Sequence, residues 1–243
     1  MLHDSVTPYQ NKDVEKKEQV AQMFDTIANR YDALNSVLSL GIHKAWRKKC
    51  VAILAETKPA LILDVATGTA DFAIECSSIN PKKIIGVDIS EGMMKFGREK
   101  ISHLNLSETI ELTYGNAETL SYNDNEFDAI VVGFGVRNFQ NLEKGLTNLY
   151  RILKPGGQLI ILEFSYPTNF FVKAFYTFYL SVITPLIGRL FSKDKRAYSY
   201  LAESVKAFPH NQSFVDVLNK NNYQTTYFKK VCFGVAAIYV AKK

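Results

Sequence analysis

The stretch Leu61 to Asp71 reads LILDVATGTAD, and the rest of the chain is organised around it. A short apolar run, Leu61 to Leu63, meets the acidic Asp64. Small residues follow at Ala66, Gly68 and Ala70, with Thr67 and Thr69 between them, and Asp71 opens a run of helical character. The pattern predicts a buried parallel strand, a tight turn and a helix N-terminus. Small residues let a ligand approach the backbone, and a helix start leaves free N–H groups. Alone, the stretch fits a nucleotide-type site and a plain strand-to-helix turn equally well.

Outward from this stretch the chain divides into four parts: 1–58, 59–165, 166–208 and 209–243. Residues 1–13 read as a tail. Helical spacing follows from Val14 to Ile27, an interruption at Asn29–Asp32, an apolar segment Leu34–Leu40 closed by Gly41, and a third helix Ile42–Glu56. From 59 to 165, strand-like runs alternate with helix-like ones. The strands are Leu61–Val65, Lys83–Val87, Ile110–Tyr114, Ala129–Gly133 and Gln158–Phe164. The helices are Phe72–Ser78, Gly92–Leu104 and Glu143–Leu153, with Pro155-Gly156-Gly157 as a turn. Such alternation predicts a doubly wound α/β sheet, mostly parallel, with helices on both faces. An aromatic-rich insertion then carries Phe170, Phe171, Phe175, Tyr176, Phe178, Tyr179, Phe191, Tyr198 and Tyr200. The chain ends in a helix, Asn211–Asn221, and two strands, Thr225–Lys230 and Val235–Val240, joined through Cys232–Gly234 as an antiparallel edge hairpin.

Composition narrows the classes. With 47% hydrophobic and 22% charged residues the chain is globular, and its net charge of +5 is mild. No dense basic stripe interleaved with aromatics appears, which argues against nucleic acid as a partner. The 3 cysteines are scattered and form no C-x-x-C pair, which argues against disulfides and zinc and suggests a reducing compartment. The N-terminus has no apolar core of a secretory leader, so a cytoplasmic location is expected. The uncharged stretch Ala174–Gly188 contains Pro185 and falls short of the ~20 apolar residues of a spanning helix.

Three predicted loops fall at one end of the sheet: Ala66–Ala70, Asp88 after the second strand, and Gly115-Asn116-Ala117-Glu118 after the third. An acid at the second position accepts bonds from ribose hydroxyls, and a polar residue beside a small one suits an adenine edge. Asp88 alone also reads as a helix N-cap. Asp88 follows Gly68 at the ~20-residue distance seen in dinucleotide folds. The turn lacks G-x-G-x-x-G, however, and Asp71 stands where a phosphate would sit. Charge therefore favours a cationic ligand, S-adenosylmethionine, over NAD.

On these residues the chain resembles the class I S-adenosylmethionine-dependent methyltransferases. More narrowly it is similar to the demethylmenaquinone and polyprenyl-benzoquinol C-methyltransferases. The likeness rests on MFDTIANRYDALN (Met23–Asn35), LDVATGTAD, VDIS, GNAE, FGVRN (Phe134–Asn138), LKPGGQLIILEF (Leu153–Phe164) and YLAESVKAFP (Tyr200–Pro209). It implies a Rossmann-like, seven-stranded sheet with its last strand antiparallel, an N-terminal helical cover and a helical insertion before the last two strands. It implies that Thr67, Asp88, Asn116 and Ala117 contact the cofactor; Asp64 and Gly68 join them as candidates. Some members carry serine where this chain has Gly133, so that side-chain contact is absent.

The activity implied is C-methylation of demethylmenaquinol, with the benzoquinol of ubiquinone synthesis or another lipophilic acceptor as alternatives. A cofactor-binding partner protein without catalysis is a further class, which the pair Arg137 and Asn138 disfavours. Methylation at carbon needs a deprotonated ring hydroxyl, and no metal. Arg137 is expected to stabilise the phenolate or orient a water, because arginine stays protonated. Asn138 is expected to hold the second quinol oxygen, and Tyr31 to line the pocket. As alternatives Arg137 reads as a surface residue and Asn138 as a helix N-cap. Tyr200 and Glu203, expected on one helix face, and His43 and His210 are weaker candidates. The partner is a polyprenylated quinol. The aromatic insertion, flanked by Lys173, Arg189, Lys193, Lys195 and Arg196, suggests peripheral contact with a membrane surface, although its aromatics also suit packing on the sheet. The oligomeric state is left open, a homodimer included.

Overall fold

Residues 2–179, 182 and 196–243 are described in the computed structural model. Strands β1 (Leu61–Val65), β2 (Lys83–Asp88), β3 (Ile110–Tyr114), β4 (Phe127–Gly133) and β5 (Leu153–Phe164) run parallel. β7 (Ala236–Lys242) lies antiparallel between β5 and the edge strand β6 (Gln224–Val231), giving the order β3-β2-β1-β4-β5-β7-β6. The central strands are buried on both faces, which is why β1 and β4 read as near-continuous apolar runs rather than alternating ones.

Helices cover both faces. α3 (Ile42–Ala55), α4 (Asp71–Cys76) and α5 (Glu91–His103) pack Trp46, Leu54, Phe72 and Ile101 on one side. α6 (Leu142–Ile152) and α9 (Gln212–Lys220) pack Leu142, Leu146, Phe214 and Leu218 on the other. In α6, Leu142, Leu146 and Leu149 recur at helical spacing and are fully buried. Burying each contributes about 1.5–3 kcal/mol relative to exposure. Asn141 caps this helix, its Oδ1 accepting the Lys144 N–H at 2.9 Å.

A third cluster joins the two ends of the expected cover. Val20 and Met23 of α1 (Lys16–Ile27) and Leu34 of α2 (Tyr31–Leu38) pack against Ala197 and Tyr200 of α8 (Arg196–Ala207). The N-terminal helices and the insertion thus build one roof. Its remaining described helix is α7 (Phe170–Phe178).

Local differences from the sequence reading have physical reasons. The chain does not break at Asn29–Asp32 but tightens into a 3₁₀ turn, Ala28–Arg30, and α2 begins at Tyr31. The first helix of the alternation ends at Cys76 and narrows into a 3₁₀ turn, Ser77–Ile79. α6 passes directly into β5, whose Leu153 already pairs with Phe127; Lys154–Gly157 loop out before Gln158 pairs with Ala129. Packing of the insertion's aromatics on the sheet is not observed for α7: Phe170, Phe171 and Phe175 are 76%, 80% and 71% exposed, while Tyr176 is buried. Arg189, Phe191, Lys193, Lys195 and the Tyr198 side chain lie outside the described residues.

Candidate active site

Strand order reverses between β1 and β4, so the loops leaving their carboxyl ends diverge and open a crevice. The loops touch at their bases. A Cβ on Gly135 would stand 2.6 Å from the Cβ of Ala66, so only glycine permits this approach. Ala66 and Ala70 both adopt left-handed backbone, φ 57° and 63°, a conformation that costs free energy for any residue but glycine. Over the crevice, under the roof, lies a cavity of about 590 Å³. Its floor is Asp64, Thr67, Gly68 and Arg137, and its walls include Tyr31, Trp46, Phe134, Tyr176 and Tyr200. A second hollow of about 540 Å³ lies against the ends of β2 and β3, lined by Val87, Ile89, Gly115, Asn116, Leu120 and Tyr122.

The first-loop residues act as a unit. Thr67 Oγ1 donates to Asp64 Oδ2 at 2.6 Å, and the Ala73 N–H donates to the same oxygen at 3.0 Å. Asp64 Oδ1 has no partner among the described residues although the residue is 1% exposed. Burial pushes the Asp64 carboxyl up to about 7. Asp88 accepts the N–H groups of Gly68 and Ser90, each at 2.8 Å, and burial raises it to about 6. It is not a helix cap; Ser90 fills that position, with Oγ accepting from Met93 at 3.2 Å. Asn116 Oδ1 accepts the Glu118 N–H while its residue lines the second hollow. Ala117 is buried beside it, its carbonyl accepting from Asn148.

Asp71 does not serve the role its charge suggested. Its carboxylate is already paired, with Arg47 Nη2 at 2.8 Å and Lys100 Nζ at 2.5 Å. Burial would raise its pKa, but the two cations outweigh it and hold the carboxyl below its usual value. Lys100 also bonds Asp32 at 2.9 Å and Thr69 at 3.0 Å, so the network ties the roof helices to the turn after β1. The acceptor left open toward a cationic ligand is Asp64 instead.

Arg137 is not a surface residue. It is 6% exposed, its Nη1 donates to Glu163 Oε1 at 2.9 Å and to the Phe134 carbonyl, and its guanidinium stands 5.4 Å from the Phe164 ring centroid. Its backbone N–H donates to Glu163 Oε2 at 3.3 Å. Its carbonyl accepts from Lys16 Nζ at 3.4 Å, a lysine that burial holds down to about 8. Asn138 is not a helix cap either. Its Oδ1 accepts from the Tyr200 hydroxyl at 3.1 Å, and its residue stands behind the cavity wall rather than on it. Tyr31 lines the cavity and packs edge-on to Phe24. Tyr200 and Glu203 lie about 60° apart on the same helix, but Tyr200 is 2% exposed and lines the cavity while Glu203 is exposed and does not. His43 lines the cavity and bonds Ser39, whereas His210 stacks on Tyr166 away from it.

Sequence reasoning passed over Glu163 and Lys16. Glu163 left a signal: a lone acid inside the apolar run LIILEF, at a position where only a paired charge is stable. Lys16 left none, because its burial depends on the fold of residues 2–19 against the Arg137 loop.

The site fits S-adenosylmethionine. Asp64 Oδ1 is a buried acceptor with no partner among the described residues, beside the small-residue turn, and the hollow along Asn116 has the size and polarity for a nucleoside. Residues 12–243 match the ubiE/COQ5 methyltransferase family. The chain belongs to that family. This methyltransferase is 47% identical over 241 residues to the demethylmenaquinone methyltransferase of Bacteroides fragilis, covering 99% of this chain and 98% of that one. It is 40% identical to the enzyme of the same name from Porphyromonas gingivalis, over 99% and 98% of the two chains. It is 39% identical to a ubiquinone/menaquinone biosynthesis C-methyltransferase of Geotalea daltonii, over 94% and 98%. Among solved structures, a SAM-dependent methyltransferase from Thermotoga maritima superposes with TM-score 0.61 at 20% identity, over 91% of this chain and 99% of that one, and so shares the Rossmann-like fold.

Proposed function

We propose that this methyltransferase transfers a methyl group from S-adenosylmethionine to a ring carbon of demethylmenaquinol, giving menaquinol. The observation that carries the reading is the cavity. It joins a buried cation, Arg137, to mostly apolar and aromatic walls, directly beside the cofactor-type turn. An apolar enclosure with one fixed cation suits a ring bearing an oxygen anion and a hydrocarbon tail. Its 47% and 40% identity to relatives named for demethylmenaquinone, against 39% to one named for both quinones, supports the naphthoquinol over the benzoquinol.

In this reading Asp64, Thr67 and Gly68 hold the amino-acid end of the cofactor, Asp88 the ribose, and Asn116 and Ala117 the adenine. When bound, the cofactor supplies a methyl group on a positively charged sulfur. Arg137 would then stand beside the acceptor's ring hydroxyl and favour its anionic form, the proton passing to a water, which raises electron density on the adjacent carbon. Glu163 keeps the guanidinium fixed. Tyr31 and Tyr200, on two different roof helices, exclude water and limit the ring's tilt, and Asn138 orients Tyr200. Holding two reactants in line is worth roughly 7–11 kcal/mol of barrier.

The tail leaves along the roof. Val37, Leu40, Ile42 and Phe175 are exposed apolar residues lining the cavity, and Phe170 and Phe171 extend the patch along α7. This exposed apolar patch supports substrate uptake at a membrane surface. Among the described residues no helix is long and apolar enough to cross a membrane. Deleting the gene tests the acceptor: cells should accumulate demethylmenaquinone, and restored menaquinone on complementation with wild type but not with Arg137→Gln would tie the loss to this site. Unchanged menaquinone in the deletion strain would refute the reading.

A further inference from the structure

One hydroxyl on the cavity wall is unused by the chemistry above. Tyr176, on α7, is 5% exposed and lines the cavity, and its Oη has no hydrogen-bond partner among the described residues. A buried hydroxyl without a partner is destabilising, and phenylalanine would pack as well against Tyr166 and Val205. The other tyrosines of the wall are engaged: Tyr200 donates to Asn138, Tyr179 donates to the Leu38 carbonyl at 2.6 Å, and Asn35 bonds the Tyr31 hydroxyl. Arg137 reaches the same place from the loop after β4. Its Nη1 is held by Glu163 and the Phe134 carbonyl, and its Nε is buried with no partner among the described residues. Arg137, Tyr31, Tyr176 and Tyr200 all line this one cavity, and the positive charge of Arg137 lowers the pKa of each of the three hydroxyls against the burial that raises it.

We infer that Tyr176 is an acceptor-binding residue whose hydroxyl donates to the ring oxygen that Arg137 neutralises. The inference rests on the quinol reading and adds a second donor to it. One donor lets a planar ring pivot about its oxygen; two donors from different elements, β4 loop and α7, fix its plane and present the adjacent carbon to the cofactor side. Burial raises the Tyr176 phenol above its ordinary value, so at neutral pH it keeps its proton and acts as a donor, not a base. The insertion would thereby read the head group as well as cover it.

The test compares purified wild type, Tyr176→Phe and Tyr166→Phe. Tyr166 is the control, because its hydroxyl bonds Thr177 on the exposed side. Measured are the ligand-free thermal midpoint, S-adenosylmethionine affinity by calorimetry, and kcat and KM for a short-chain demethylnaphthoquinol across pH. For Tyr176→Phe the midpoint should not fall and the cofactor affinity should hold. Its kcat/KM should fall by about 10- to 100-fold, with the acid limb of the kcat profile moved to higher pH because the phenolate is less stabilised. Tyr166→Phe should match wild type. The inference is overturned if Tyr176→Phe turns over like wild type, or if its midpoint and cofactor affinity drop together with activity, which marks a structural role. The ratio of variant to wild type tests Tyr176 alone; a wild-type protein that leaves the quinol unmethylated refutes the functional reading itself, and Tyr176's role with it.

Discussion

Replacing Glu163 by glutamine should unsettle the site although Glu163 itself touches no ligand in this account. Glu163 is fully buried and accepts three donors: Arg137 Nη1 at 2.9 Å, the Arg137 N–H at 3.3 Å and the Phe164 N–H at 2.8 Å. Burial raises its pKa and the Arg137 charge opposes that rise. Glutamine keeps the shape, but it turns an N–H toward at least one of these donors and leaves Arg137 without a counterion. Breaking a buried pair from one side costs about 3–5 kcal/mol. At this chain size each kcal/mol moves the midpoint by roughly 2–4 °C, so a loss of about 6–20 °C is expected. Thermal or urea unfolding of wild type, Glu163→Gln, Arg137→Gln and the double variant measures it. The double variant buries no lone charge and should be more stable than the sum of the singles by about 0.5–3 kcal/mol. Additive singles, or a Glu163→Gln protein as stable as wild type, would show that the pair does not carry the loop. Turnover should fall while cofactor affinity stays near wild type, since Glu163 makes no bond to the turn after β1.

Three other outcomes follow from particular contacts. Asp64 titrates near 7 in the folded protein, above the ordinary carboxyl value of about 3.9, so its contribution to stability is present below about pH 4 and lost as pH rises through 7. Ligand-free Asp64→Asn should therefore match wild type near pH 4 and melt higher at pH 8, while binding S-adenosylmethionine at least about tenfold more weakly by calorimetry. Lys100→Met removes the cation shared by Asp32 and Asp71, both partly exposed, so the midpoint should fall by only about 1 kcal/mol equivalent while hydrogen exchange in α2 accelerates. Phe171→Ser with Phe175→Ser should lower recovery with floated liposomes and raise KM for long-tailed quinol, leaving a tail-less quinol unaffected.

How much of this was legible in the sequence depended on whether a residue's environment was local. The strand–turn–helix at LILDVATGTAD and the sheet alternation follow from periodicity and small residues, and the parallel core they predict is the one observed. The roles of Asp71 and Asp64 were legible only in part. Sequence gives both as acids beside the turn, but the pairing of Asp71 with Arg47 and Lys100 spans 24 and 29 positions. No local pattern reveals that pairing, so the sequence shows Asp71 as a charge disfavouring phosphate but not that Arg47 and Lys100 already neutralise it. Arg137 and Asn138 are adjacent in sequence yet face differently, because the 3₁₀ turn Val136–Asn138 sends one side chain to Glu163 and the other to Tyr200. The joint roof of α1, α2 and α8 was invisible for the same reason: its contacts join residues 20–34 to residues 197–200.

The most direct measurement is methyl transfer by the purified protein from methyl-labelled S-adenosylmethionine to chemically reduced demethylmenaquinone, with the product identified by mass spectrometry. Label should appear on the ring carbon, giving menaquinol, in wild type and be lost in Arg137→Gln, whose cofactor affinity is retained. Label that never reaches the quinol, or a rate in Arg137→Gln equal to wild type, would contradict the account.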